Sequence, residues 1–201
     1  MSKIRLLGTV LILGHIGFAM AGADRLSPFE DPVTGLWGYR SEDNVTRIPP
    51  QFHVAEEFLP SGIAAAADQS GWVYLDRRGN RIIRPFLYDN GPDPFAEGLA
   101  RFVDGGQFGF FDERGGIAIP ARFDFVEPFS AGLAAFCTGC RRKWEGEHQR
   151  YEGGRWGYID REGKTVIAPR FDAARSFTGA FAEVRIGEAW IRIDRKGEPV
   201  P

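Results

Sequence analysis

The chain has 201 residues, with 25 Lys and Arg against 27 Asp and Glu, for a formal net charge of −2. That balance weighs against duplex nucleic acid as a partner, because such affinity rests on clustered cations facing phosphates. Two Cys and three His leave few groups for thiol, metal or imidazole chemistry.

Residues 1–21 read as a secretory signal peptide: Lys3 and Arg5 lead, Leu6 to Phe18 form the apolar run, and Ala19-Met20-Ala21 offers small residues at a cleavage site. The run is shorter than the roughly 20 residues a spanning helix needs. Cleavage after Ala21 removes two basic residues, which leaves 25 − 2 = 23 against 27 and a net charge near −4. No Cys precedes Cys137 for lipid attachment, and no second apolar stretch is long enough to span a bilayer. The expectation is a soluble periplasmic or secreted protein with no membrane span after cleavage, and residues 22–34 read as an N-terminal linker.

From there the chain repeats itself. Trp37, Trp72, Phe108, Trp156 and Trp190 each open an aromatic segment and each sit seven positions before a Gly or Asn. Their spacings of 35, 36, 48 and 34 residues define units starting near 35, 70, 106, 154 and 188. Periodicity on this scale signals a repeat array. Within a unit the first strand alternates, as in Trp156, Tyr158 and Asp160 against Gly157 and Ile159, with the period of two that marks a strand. A second strand is expected to end at a Pro, which lacks the N–H a continuing ladder would need. A third follows a Phe. The predicted fold is mainly β: about four and a half three-stranded units over 35–201, stacked as a solenoid-like structure.

Between the first two strands lies Asp-x-x-Gly, at Asp76/Gly79, Asp112/Gly115, Asp160/Gly163 and Asp194/Gly197. Asp can bond the turn's own backbone, and Gly takes positive φ without steric cost. The first unit has Ser41 and Asn44 there, the next-best residues for the same turn. The turn survives without the carboxylate, so the recurrent Asp and Gly read as structural rather than as a row of catalytic acids. Arg77, Arg78, Arg81 and Arg84 surround one such turn and read as a solvated hairpin tip. The last unit stops at Pro201 and reads as an edge hairpin that cannot rebuild a complete unit. Its altered residues suit a terminal cap.

The string from Gly154 through Trp156-Gly157-Tyr158-Ile159-Asp160, Gly163 and Ile167, with Pro169, Phe171-Asp172 and Phe177 beyond it, resembles the WG (KWG) repeat of bacterial proteins. The resemblance extends over residues 35–201 and implies a β-rich, exported or surface-associated array with no established catalytic residues. Val73, Phe108 and Ile191 depart from the Trp-Gly pair.

The interval of 48 residues holds an insertion at about 137–152. It contains Cys137, Cys140, Arg141, Arg142, Lys143, Trp144 and His148, and is the candidate interaction loop. Four readings of the Cys pair compete. A disulfide fits an oxidising compartment. Thiol-disulfide exchange is permitted by the spacing and by the adjacent cations, but lacks the helical context. Zinc with His148 gives only half a site. Free or intermolecular thiols are the fourth, and haem attachment is excluded because Arg141 stands where His is required.

For catalysis, only His53 and His148 follow the signal segment, and His53 replaces the Asp of Phe171-Asp172. No phosphate loop, nucleophile elbow or paired metal motif is present. No catalytic, cofactor or metal residue is therefore assigned. The aromatic ladder reads as core in preference to an open stacking face. The function expected is that of a non-catalytic module binding a protein or a cell-envelope ligand, the alternative being a thiol-active or metal-binding protein using Cys137 and Cys140.

Overall fold

A computed structural model describes residues 25–146 and 148–201. Residues 1–21, the expected signal peptide, lie outside the described residues. Within the described residues the chain forms strands and turns with no helix, so no helix there is long and apolar enough to cross a membrane.

The strands form six small antiparallel sheets, each a run of consecutive strands. The first joins β1 (Leu26–Glu30), β2 (Trp37–Ser41) and β3 (Thr46–Phe52). The second joins β4 (Val54–Ala55), β5 (Ile63–Asp68), β6 (Gly71–Asp76) and β7 (Arg81–Ile83). A hairpin of β8 (Leu87–Tyr88) and β9 (Gly91–Pro92) follows. Then come β10 (Leu99–Asp104), β11 (Gln107–Asp112) and β12 (Ile117–Phe123). The fifth sheet joins β13 (Phe125–Val126), β14 (Ala134–Glu145), β15 (His148–Ile159) and β16 (Thr165–Phe171). The last joins β17 (Ala173–Ala174), β18 (Ala182–Ile186), β19 (Ala189–Ile193) and β20 (Pro199–Val200).

These sheets are out of phase with the sequence units. The aromatic strand of one unit pairs with the third strand of the unit before it, as β6 does with β5, β11 with β10 and β19 with β18. Three-stranded units therefore become sheets that straddle unit boundaries. One expectation changes with that phase. The stretch read as linker contains β1, which supplies the first aromatic strand with its missing neighbour through five paired residues. The terminal half unit adds β19 and β20 as an edge hairpin to β17 and β18 of the unit before, as its sequence suggests.

The second strand of each regular unit bends and enters the next sheet: β3 leads to β4 across His53, β12 to β13 across Asp124, and β16 to β17 across Asp172. Before it leaves, it bulges over the glycine that follows the aromatic. Trp37 pairs with Phe52 and Tyr39 with Ile48, so the partner strand carries two additional residues over Gly38. A Cβ added at Gly38 or Gly109 would sit 2.5 Å from the carbonyl oxygen of Ile48 or Ile119, and at Gly157 it would meet that of Ile167. Backbone fills the space a side chain needs, which is why glycine occupies it. Val73 holds this position in the second unit, and there β7 is three residues long and pairs only Tyr74 with Ile83 and Leu75 with Arg81. Arg84 instead donates to the carbonyls of Ser70 and Trp72 at 3.1 and 3.4 Å, and Pro85 bridges to Phe102.

The second aromatic of each of the first four units is core, while Trp37 and Trp72 are half-buried beside it. Tyr39, Tyr74, Phe110 and Tyr158 are buried against Phe58, Phe95, Phe129 and Phe177, with ring centroids 4.7–5.8 Å apart. Each buried ring contributes about 1.5–3 kcal/mol. The Tyr39 and Tyr158 hydroxyls donate to the Glu56 and Arg175 carbonyls at 2.9 and 2.8 Å, which satisfies their polar ends. Burial raises the phenol pKa of both and pushes Tyr74 up to about 12.

At the turns, the Asp160 carboxylate accepts the N–H groups of Glu162 and Lys164 at 3.2 and 2.8 Å, and Gly163 closes the turn at φ +77°. Asp76, Asp112 and Asp194 do the same. Burial opposes ionisation of Asp76, but hydrogen bonds from Asn80 and Arg78 outweigh it and hold its carboxyl below the usual range. In the first unit Asn44 takes the positive φ, and Asp43, two residues after Ser41, carries the carboxylate that accepts the Ser41 hydroxyl. Each turn Gly also lies against an Ile of the preceding unit: Gly79 by Ile48, Gly115 by Ile82, Gly163 by Ile119 and Gly197 by Ile167.

Candidate functional site

The insertion is not a loop. It lengthens β14 and β15 to 12 residues each, and their register runs from Ala134↔Ile159 to Glu145↔His148. Neighbouring strands cover only the base of this hairpin: β13 pairs with Phe136 and Cys137, and β16 reaches no further out than Trp156. Beyond that a two-stranded arm projects by about 25 Å at the usual rise per residue. Most of its residues are polar, with Trp144 and Tyr151 the large exceptions, so no sustained alternation of apolar side chains announces the strands in the sequence.

A free two-stranded ribbon is marginal in water, and this one is held at its root. Cys137 and Cys140 form a disulfide across Thr138-Gly139. With both sulfurs joined, neither is a thiolate ligand here, and among the described residues no group of three or more His, Cys, Asp or Glu could hold a metal ion. Gly139 and Gly154 take positive φ where the ladder skips a pair, and a Cβ on Gly154 would lie 2.5 Å from the Cys140 nitrogen. Tyr151 stacks on Phe125 at 4.0 Å and meets Phe108 edge-on at 5.5 Å. Burial raises the Tyr151 phenol pKa, against the pull of Arg142 and Arg101.

The register places Cys140, Arg142 and Trp144 opposite Gly153, Tyr151 and Gln149, while Lys143 pairs with Glu152 at 3.2 Å. Cys140, Arg142, Gln149 and Tyr151 line a cleft of about 510 Å³ whose other wall includes Phe86, Leu87 and Val103. Trp144, Gln149 and Arg150 line a further 670 Å³ with Leu87, Tyr88, Asp89 and Asn90. Trp144 is 56% exposed and Tyr88 62%. The two clefts share Phe86, Leu87 and Gln149 and form one groove between the arm and the β8–β9 hairpin. Of the loop residues singled out in the sequence, Arg142 and Trp144 line this groove, and Arg141 and Lys143 lie on the arm outside its lining. His148 opens β15, but its side chain lies outside the described ones.

Beneath the groove is a charge cluster absent from the sequence-based expectations. The Asp93 carboxylate accepts the Arg101 backbone N–H, Nε and a terminal guanidinium nitrogen at 3.0, 2.9 and 2.7 Å. Both side chains are almost completely buried, at 1% and 4% exposure. Arg101 also donates to the Val126 carbonyl at 3.0 Å, lies over the Phe86 ring and comes within 3.9 Å of Glu127. Burial raises the Glu127 pKa, with Arg101 opposing the rise and Asp93 adding to it. One signal pointed here: Arg101 pairs with Phe110 where the equivalent residues opposite Tyr74 and Tyr158 are Ala65 and Ala135.

The sequence profile of a family described as a WG containing repeat matches residues 108–144 and 156–190. Those two segments carry WG repeats. The matched segments begin at the aromatics that open β11's buried ladder and the regular part of β15, and the first ends within the arm. In WG-repeat terms, two of the places that depart from the repeat contribute to the groove: the segment that follows the Val73 unit's short second strand, and the insertion. No curated protein matches the chain.

Proposed function

We propose that this WG-repeat protein is an exported, non-catalytic binding module, and that the groove between the arm and the β8–β9 hairpin is its recognition surface. The observation that carries this reading is convergence. Two stretches of chain that break the repeat at separate points in the sequence line one cleft. Exposed Trp144, Tyr88 and Leu87 around that cleft are the kind of apolar patch that marks an interaction site. The units stack in this reading as a solenoid-like array, each turn glycine seated on the Ile of the unit before, with the arm and hairpin projecting from it. Export to the periplasm or beyond is supported by the pattern of residues 1–21 and by the oxidised Cys pair.

The test replaces residues 144–149 by Asn-Gly, which closes a two-residue hairpin between Lys143 and Arg150 and retains the disulfide and Tyr151. Crosslinking in the native cell envelope is expected to lose adducts that the unaltered protein forms. If every adduct persists in the shortened protein, the groove is not the recognition surface. Intact mass of the recovered protein checks export, with a chain beginning at residue 22 and an oxidised Cys pair as the expected species.

A further inference from the structure

The outer edge of β15 is a strand edge that the repeat itself never exposes. In the other regular units the aromatic strand begins at or just before the aromatic, at Trp37 or Gln107, so it ends where its neighbour turns away. The insertion carries β15 outward from Trp156 to His148, while β16 pairs no further than Trp156↔Phe171 and leaves at Asp172 for the last sheet. Among the described residues no strand pairs with β15 on that side beyond Trp156.

This edge faces a fork rather than open solvent. Gln149, Arg150, Tyr151, Glu152 and Gly153 run consecutively along a cleft of about 610 Å³, with Phe125 and Trp156 at its apolar end and Asp172, Ala173 and Arg185 across from them. The fork is pinned open, because the Asp172 carboxylate accepts the Gly187 N–H at 2.7 Å and pairs with Arg155. In an antiparallel ladder every second residue turns both its N–H and its C=O away from its partner. Glu145↔His148 flanks the hairpin turn, so Gln149 and Tyr151 are the residues that turn outward. The opposite edge is blunted: the Asp124 carboxylate accepts the Gly139 N–H at 2.6 Å, and Arg141 and Lys143 follow along the strand.

We propose that Gln149–Gly153 receive an extended segment of a partner polypeptide as an added strand, continuing the ladder that β16 leaves at Asp172. A row of alternating backbone donors and acceptors is matched by an extended peptide backbone, and pockets along the slot select its alternate side chains. The apolar end formed by Phe125 and Trp156 takes a β-branched or aromatic residue. This proposal rests on the arm being the recognition element, and it names the class of partner.

The probe is the peptide acetyl-Lys-Thr-Val-Thr-Val-Thr-Glu-amide, titrated into the full purified chain while backbone amide resonances are followed. Shifts concentrated on residues 149–153 and 172–173 are expected. Gln149→Ala retains the N–H and is expected to change affinity by less than about twofold; Gln149→Pro removes it and is expected to weaken binding about tenfold. Pro is tolerated at an edge position whose N–H faces outward, and retained Tyr151 and β14 resonances verify that the arm stays paired. Absence of shifts at millimolar peptide, equal loss in both variants, no loss in the Pro variant, or self-association of the chain through this edge each overturn the proposal. In the envelope experiment, adducts lost on tip replacement but kept in Gln149→Pro remove strand addition and leave the groove standing. Adducts kept in both remove the groove reading itself.

Discussion

The second and fourth units differ at one position in a way that reorganises everything after it. In the fourth, Gly157 lets β16 bulge across β15, and the second strand is seven residues long. In the second, Val73 is buried on β6, the second strand stops after three residues, and the following chain forms β8–β9. Trp-Gly is thus a backbone contact between two strands as much as a packing motif. Where glycine is absent, the freed segment becomes one wall of the groove, and the buried Asp93–Arg101 pair fastens it in place of the lost ladder.

The sharpest way to break this comparison is to give the fourth unit the second unit's residue. Gly157→Val forces a side chain into the Ile167 carbonyl and is expected to cost about 3–5 kcal/mol, read as a lowered midpoint in urea unfolding. Asp93→Ala asks whether the second unit's substitute fastening is needed. It leaves Arg101 buried without its carboxylate, and a loss of about 3 kcal/mol or slightly more is expected. Unchanged stability there means that the Arg101 guanidinium has another solution and that β8–β9 is held by other contacts.

The turns provide a smaller contrast within the regular pattern. Asp160→Ala removes an acceptor for two backbone N–H groups and is expected to cost about 1–2 kcal/mol. Ser41→Ala is expected to cost less, since Asn44 and the backbone bond from its N–H to the Ser41 carbonyl remain. Equal costs in thermal unfolding would contradict the division of labour drawn between the two turns.

The smallest effect concerns Glu127 beside the buried pair. Its folded pKa is raised, so the fold favours the protonated carboxyl. That contribution is full below the unfolded value near 4.3 and is lost as pH rises through the folded pKa. Glu127→Gln, a neutral mimic, is therefore expected to melt a few degrees higher than the unaltered chain at neutral pH, with the difference vanishing as pH falls below that of an ordinary carboxylate. A difference that persists in acid would place the effect elsewhere.

Much of the fold was legible because local chemistry and repetition agree. The alternation around Trp156 and Tyr158 marks a strand, and Asp160 with Gly163 marks its turn, and each recurs in register. The phase of the sheets was not legible, since pairing β14 with β15 joins residues from different units and no local pattern states which strand is the neighbour. The arm was hidden because most side chains from Arg141 to Lys143 and from Gln149 to Glu152 are polar. Asp93 lies in an irregular stretch, and Arg101, a charge where the units on either side have Ala65 and Ala135, betrayed the buried pair. The cysteines and Trp144 drew attention to the insertion, while the other wall, Leu87 to Asn90, carried only Tyr88-Asp89, which reads as an ordinary repeat counterpart of Phe171-Asp172.

The claim that glycine after the aromatic admits the second strand is tested most directly by amide hydrogen exchange on Gly109→Val beside the unaltered chain. In the unaltered chain, the amides of Ile119–Phe123 and Ile167–Phe171 are predicted to exchange slowly, and that of Arg84 faster. In the variant, Ile119–Phe123 should lose protection while β10 and the facing half of β11 keep theirs. Unchanged protection of Ile119–Phe123 would show that the second strand does not need the glycine, and would contradict the account.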